Sequence, residues 1–184
     1  MRVITPHFVF ETVTLDNLET LRQMRNSRFL QPYMHHQQPI SQAQQTAWFK
    51  GLRNSIYYLV LRQGEHIGYA MIKDIDREKA SGEPGTFLIR EDMLESSEAA
   101  LFVLTFLDYC YFELGIKIFH GNVLFSNTRA LKNYEFFAPQ IREKNQQGLI
   151  LESTDEHAYL KHSERIRKAL AIVFGYAPSF KTEE

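Results

Sequence analysis

The stretch Glu98–Leu114, EAALFVLTFLDYCYFEL, constrains the fold more than any other part of the chain. Its apolar residues cover most of a helical circumference, so a helix here must be largely buried. Such a helix needs a broad apolar surface to lie on, and the segments before it supply one. Ile56–Arg62 (IYYLVLR), His66–Lys73 (HIGYAMIK) and Thr86–Arg90 (TFLIR) are rich in β-branched and aromatic residues and read as strands. Gln63-Gly64-Glu65 is a turn, and Asp74–Gly85, with Gly82, Pro84 and Gly85, reads as a loop or a frayed hairpin end. Three consecutive strands with hairpin-length connections predict an antiparallel meander. Gly115 fits the C-terminal cap of the long helix.

The flanking segments fill out the order. His7–Thr14 predicts a first strand. Asp16 and Glu19 form a capping pair before Leu18, Leu21 and Met24, which predicts a helix from about Leu15 to Asn26. Arg28–Ile40, with two prolines and the adjacent His35 and His36, reads as a loop, or a short helix plus a loop, that forms a substrate rim or only covers a sheet edge. Ser41 and Gln44 make a capping box that opens a second helix through Trp48, Phe49 and Leu52. Beyond the long helix, His120–Phe125 reads as a strand, and Ser126 and Asn127 offer capping oxygens to a helix that runs to about Phe137. Ile141–Lys144 and Leu149–Ser153 predict two strands joined by a turn, and Glu156–His162 a weaker third. Residues from about 163 to Phe174 predict an amphipathic C-terminal helix, packed either on the core or on a second copy of the chain in a homodimer. Strands, helices and strands in this order predict an α+β fold in one domain, residues 1–184.

Composition removes several function classes. The formal net charge is −1, so no basic field points to nucleic acid or to an anionic membrane. No uncharged run approaches the ~20 residues that a membrane-spanning helix needs. The one cysteine, Cys110, lies inside an apolar run and reads as a buried, inert thiol, which fits a reducing, cytoplasmic setting. The seven histidines show no metal-ligand spacing. No G-x-S-x-G elbow and no phosphate loop with lysine is present, so hydrolase and nucleotide-triphosphatase chemistry has no support.

The chemistry concentrates in HGNVLFSNTRALKNY, His120–Tyr134. Asn127 and Tyr134 fall about two turns apart on one helix face. A capped helix with an aromatic packed beneath it accounts for this spacing without any chemistry. His120 and Asn122 share a strand face; His120 has the chemistry of a base, or is simply satisfied at a strand end. Asn127, Ala130 and Tyr134 also form an N-x-x-A-x-x-x-Y pattern that resembles that of the GNAT acyl-CoA-dependent N-acyltransferases. The order of elements resembles that fold from end to end. Arg25-Asn26, Tyr33-Met34, Ile40-Ser41, Gln45, Trp48-Phe49, Leu52, Tyr58 and Gly68-Tyr69 resemble a run found in one branch of it. That branch acts on nucleotide-linked amino sugars, as in pseudaminic acid synthesis, and neighbours the ribosomal-protein N-terminal acetyltransferases.

The resemblance implies a three-layer domain with a central mixed, mostly antiparallel sheet and helices on both faces. It implies transfer of an acyl group, normally acetyl, from acetyl-CoA to a primary amine of a small molecule such as an amino-sugar nucleotide. The thioester lies between two splayed strands. Tyr134 takes the place of the general acid that protonates the departing thiolate, and His120 is the candidate base. Asn127, Ile89, Arg90, Ser96 and Ser97 fall where the family holds the donor. One departure stands out. The family carries a glycine-rich loop before its long helix, because close backbone approach and a helix N-terminus suit a pyrophosphate. Here Arg90–Glu98, REDMLESSE, has no glycine and four carboxylates. Two alternatives follow: a binding or regulatory protein on the same fold, or an acyltransferase that takes its acyl group from a carrier protein.

Overall fold

The computed structural model describes the chain except residues 29–37, 95, 136–139, 147 and 154, and the side chains of 129, 133–135 and 142. The described elements are β1 (Arg2–Ile4), β2 (Val9–Thr12), α1 (Leu18–Arg25), α2 (Gln42–Gly51), β3 (Ile56–Arg62), β4 (Glu65–Asp76), β5 (Ser81–Ile89), α3 (Ser97–Asp108), β6 (Ile118–Leu124), α4 (Thr128–Glu135), β7 (Gln140–Lys144), β8 (Gly148–Glu152), α5 (Ala158–Phe174) and β9 (Lys181–Glu183). The strands join in one sheet, ordered β7-β8-β6-β5-β4-β3-β2-β1-β9. All pairings are antiparallel except β5 with β6. The predicted α+β class and the mixed, mostly antiparallel sheet are both present.

Helices cover both faces because alternate strand residues are apolar on both sides. On one face Tyr58, Val60, Ala70, Ile72 and Phe119 pack against α3 and α5. On the other, Leu59, Tyr69 and Leu88 meet Leu18 and Leu21 of α1, with Trp48 of α2 beside them. The long helix is buried as its composition demands. It ends in a π-helical turn, Tyr109–Glu113, and Gly115 takes the left-handed conformation, φ +71°, that lets the chain leave. Cys110 is fully buried, and burial pushes its thiol pKa up.

Several expectations need correction. Of the two readings of Asp74–Gly85, the hairpin is present and is not frayed: β4 and β5 form one long hairpin whose turn lies at residues 77–80. Gly82 is tolerated in the strand because a Cβ there would press on Ile72 Cδ1 at 3.0 Å. Residues 156–162 are not a strand, since α5 begins at Ala158 and the C-terminal helix is longer than expected. The expected Asp16–Glu19 capping pair does not form. Asn17 precedes α1, its Oδ1 accepting from Thr14 N at 2.8 Å, while Glu19 binds Arg22. The capping box of Ser41 and Gln44 forms in both directions.

The C-terminal helix α5 packs on the core through a buried polar node. The Asp108 carboxylate, with no exposure, accepts from Arg167 Nη1 at 2.6 Å and Nη2 at 2.5 Å, and from the hydroxyls of Tyr159 at 2.5 Å and Tyr176 at 2.6 Å. Burial and then the Asp108 charge raise the pKa of both tyrosines, so they remain donors. Among the described residues, no helix is long and apolar enough to cross a membrane.

Candidate functional site

The site begins where the sheet comes apart. β5 and β6 run parallel, but only Ser81 opposite Ile118 and Gly82 opposite Phe119 pair. The sequence reading places this parallel contact further along, between Thr86–Arg90 and His120–Phe125. The strands have separated there, and the reason is local. Tyr69 faces Leu88 and Met71 faces Gly85, so one residue of β4 opposes two of β5, Thr86 and Phe87. That bulge carries Thr86 at φ +45°, a strained setting for a β-branched residue, and it turns β5 away from β6.

The parting leaves a backbone donor facing the gap. Arg90 N donates to Ile67 O of β4 at 2.7 Å. Successive strand amides alternate in direction, so the buried Ile89 presents its N–H to the opposite side, where β6 would otherwise bond. Gly68 holds the mouth narrow on the β4 side; a Cβ there would lie 1.9 Å from Leu88 O. A cleft of about 570 Å³ opens beside it, lined by Met24, Ser27, Gly68, Leu88, Ile89 and Arg90.

The segment leading to α3 is arranged around its carboxylates. Ser96 caps α3, its Oγ accepting from Ala99 N at 3.3 Å, and Ser97 opens the helix. Glu98 is paired to Arg62, and Asp92 is bound by Arg90 at 3.0 and 3.2 Å. Arg90 also donates to Glu65 at 3.0 Å. Two of the four acidic groups are thus neutralised, and Glu95 lies outside the described residues. Arg90 is exposed and already bonded to two carboxylates, so a phosphate there would have to compete for it.

On the α1/α2 face, just below the gap, Glu83 of β5 and His120 of β6 meet Asp74 of β4; their donor atoms all lie within 4.8 Å of one another. Lys73 Nζ reaches Glu83 at 3.2 Å and Asp74 at 3.8 Å, so a cationic partner is already built in. Glu83 is the sheltered carboxylate, its side chain 14% exposed. The sequence reading singles out His120 but neither carboxylate. Three strands contribute, and only the β4–β5–β6 register brings them together.

Asn127 lies at the N-terminus of α4, its Oδ1 accepting from Ala130 N at 3.0 Å, so it fills the capping role. Tyr134 is in α4, and its side chain, like His35 and His36, lies outside the described residues. The motif residues of the α1–α2 region touch one another. Asn26 exchanges two hydrogen bonds with the Ile40 backbone, both at 2.8 Å, and Arg25 Nη1 donates to Gln45 Oε1 at 2.9 Å.

Solved structures with this architecture are numerous. A protein of T. thermophilus assigned as an acetyltransferase superposes with a TM-score of 0.70 at 16% identity, over 92% of this chain and 96% of that one. The apo form of FdhC, a nucleotide-linked sugar GNAT, gives 0.68 at 15% identity, over 95% and 97%. The fold is that of the GNAT acetyltransferases. Spermidine N-acetyltransferase of Vibrio cholerae, in complex with CoA and spermine, also shares the GNAT fold, at 0.64 and 15% identity over 85% and 99% of the two chains. No family model and no curated protein matches the sequence.

Proposed function

We propose that this chain is an acyl-CoA-dependent N-acyltransferase, with acetyl-CoA as donor and a primary amine of a small molecule, such as an amino-sugar nucleotide, as acceptor. The observation that carries the reading is the parting of β5 from β6 after two residue pairs, with the Ile89 N–H turned into the gap. A thioester carbonyl placed there meets a fixed dipole, which stabilises the negative charge of a tetrahedral intermediate. The GNAT fold of FdhC and of the CoA-bound spermidine enzyme supports the same reading as an analogy.

The amine approaches from the α1/α2 face. Its nitrogen attacks the thioester carbon, its proton passes to His120, and Glu83 stabilises the imidazolium that results. The intermediate then collapses with loss of the thiolate, which takes a proton from Tyr134. A phenol at ~10 lies close to an alkyl thiol, so that transfer is nearly balanced. On the donor side, the free amides at the start of α3, beside Ser96 and Ser97, suit phosphate oxygens, and Arg90 adds positive charge if it releases Asp92.

Calorimetry with acetyl-CoA tests the donor. Saturable binding in the range of enzyme KM values, ~1 μM to ~1 mM, is expected. No heat at ~1 mM, with acyl transfer from a carrier-protein thioester instead, refutes the coenzyme reading in favour of the carrier. His120→Gln should lower kcat by roughly 10²-fold and Glu83→Gln by less; full activity in His120→Gln removes the base.

A further inference from the structure

Arg25 closes α1 with its guanidinium carbon 4.5 Å from the centre of the Trp48 ring. One of its N–H groups donates to Gln45; among the described residues, no carboxylate pairs with it and its other N–H groups have no partner. A guanidinium with spare donors and no carboxylate beside it is suited to take an anion. Gln45 makes the same demand. It is 1% exposed, and its Nε2 is buried without an acceptor. The amide cannot be turned to relieve this, because its NH₂ would then face the donors of Arg25. A guanidinium with donors to spare and an amide N–H therefore stand side by side, and among the described residues neither set of spare donors meets an acceptor.

A second set of contacts connects this pair to the site. Tyr57 meets the Trp48 ring edge-on at 4.9 Å. Burial raises the Tyr57 pKa; Arg25 opposes that shift, while Asp74 and Glu83 add to it. The Tyr57 hydroxyl is thus within electrostatic reach of both Arg25 and the carboxylates beside His120. Contacts run from Arg25 through the rings of Trp48 and Tyr57, and Asp74 and Glu83, which share Lys73, act on the Tyr57 hydroxyl.

We infer that the acceptor is an amine that also bears an anion, a phosphate or a carboxylate, held by Arg25 and Gln45 while the amine lies toward Glu83 and His120. The inference rests on the acyl-transfer reading and narrows its substrate class. A polyamine, cationic along its length, would place positive charge against Arg25. Phosphate and carboxylate oxygens accept from both groups at once.

Trp48 is the only tryptophan of the chain, so its emission reports on this site. Inorganic phosphate, glucosamine 6-phosphate, glutamate, glucosamine and spermidine are titrated without any acyl donor, at ionic strength matched with chloride. Glucosamine 6-phosphate or glutamate should shift the emission saturably, about tenfold more tightly than glucosamine. The tighter of the two identifies the anion, and inorganic phosphate should compete if it is the phosphate. Arg25→Gln should weaken that binding at least about tenfold. Gln45→Glu is the second variant: it gives Arg25 an internal carboxylate, keeps the side-chain size and removes the donor. It should stay folded and lose the anion. Emission indifferent to both anions, anion affinity retained in Gln45→Glu, or spermidine binding as tightly as the anionic amines would each overturn the inference. No donor is present, so these outcomes are independent of acetyl-CoA binding.

Discussion

Asp108→Asn is the most informative single change outside the site. The carboxylate has no exposure and accepts four hydrogen bonds, two of them from Arg167. Asparagine has nearly the same shape, so packing is kept and only the charge goes. Arg167, its side chain 22% exposed, is then left with a buried, unanswered charge, and one side of the new amide turns N–H groups toward existing donors. Stranding one member of a buried pair costs about 3–5 kcal/mol. Against a total stability of about 5–15 kcal/mol, that is about a fifth or more. For a chain of this size it lowers Tm by roughly 6–20 °C. Urea unfolding read by circular dichroism measures the loss. The double variant Asp108→Leu with Arg167→Met should lose less than the sum of the single changes, because neither charge is stranded. A loss below about 1 kcal/mol in Asp108→Asn, or strict additivity in the double variant, would refute the reasoning. Turnover per folded molecule should be unchanged, since the node lies on the face of the sheet opposite His120.

Three further outcomes are expected. Tyr134→Phe should lower turnover by roughly 10²-fold with little change in the donor's KM, measured by steady-state kinetics. Gly68→Ala should cost about 2 kcal/mol or more, because the new methyl meets backbone at 1.9 Å; the strain falls at Leu88 and Ile89, so the KM for the acyl donor should rise with it. The protein should unfold steeply in alkali. Tyr58, Tyr69, Tyr159 and Tyr176 all have pKa values raised first by burial, whereas unfolded tyrosines ionise near ~10. A raised folded pKa gives stability that is complete below ~10 and lost as pH climbs above it. Tyrosinate absorbance should therefore rise together with unfolding, and a fraction titrating before unfolding would contradict the burial.

How much of this is legible in the sequence depends on whether the deciding contacts are local. β3 can be read to its ends because its apolar run and its turn are adjacent in the chain. The capping box of α2 spans three residues and is equally plain. β1 and β9 escape a sequence reading, since strands of three residues are held only by their pairing with each other and with β2. Asp74–Gly85 reads as a loop or a frayed hairpin end because glycine and proline usually break strands, and the closeness of Ile72, which leaves little room for a Cβ at Gly82, is a tertiary fact. Residues 156–162 read as a strand, but the bond from Tyr159 to Asp108, fifty-one positions away, draws them into a helix. At the site, the resemblance supplies Tyr134 and Ile89 as candidates, and His120 is read from its chemistry and its strand position. Glu83 and Asp74 look like ordinary hairpin charges until the register sets them beside His120. Trp48 and Arg25 read as parts of two helices and of one resembling run, and nothing in their spacing points to Arg25 stacked on the Trp48 ring.

The two-pair junction between β5 and β6 also has a mechanical consequence. An ordinary sheet of this width is stiffened by continuous ladders, and here one ladder is reduced to a single short stitch. The β6–β8–β7 block is bonded within itself over five residue pairs between β6 and β8, yet among the described residues its backbone joins the rest of the sheet only near the stitch, where Lys117 and Ile118 donate to Ala80 O, and Phe119 packs on Tyr159 of α5. It should open and close as its own cooperative unit, with amide protons that exchange together and at a rate distinct from those of β3 and β4. Small pivots about the stitch change the width of the cleft without breaking a backbone hydrogen bond. The sheet therefore acts as a compliant jaw, stiff in each half and soft only along the line where the thioester is proposed to sit.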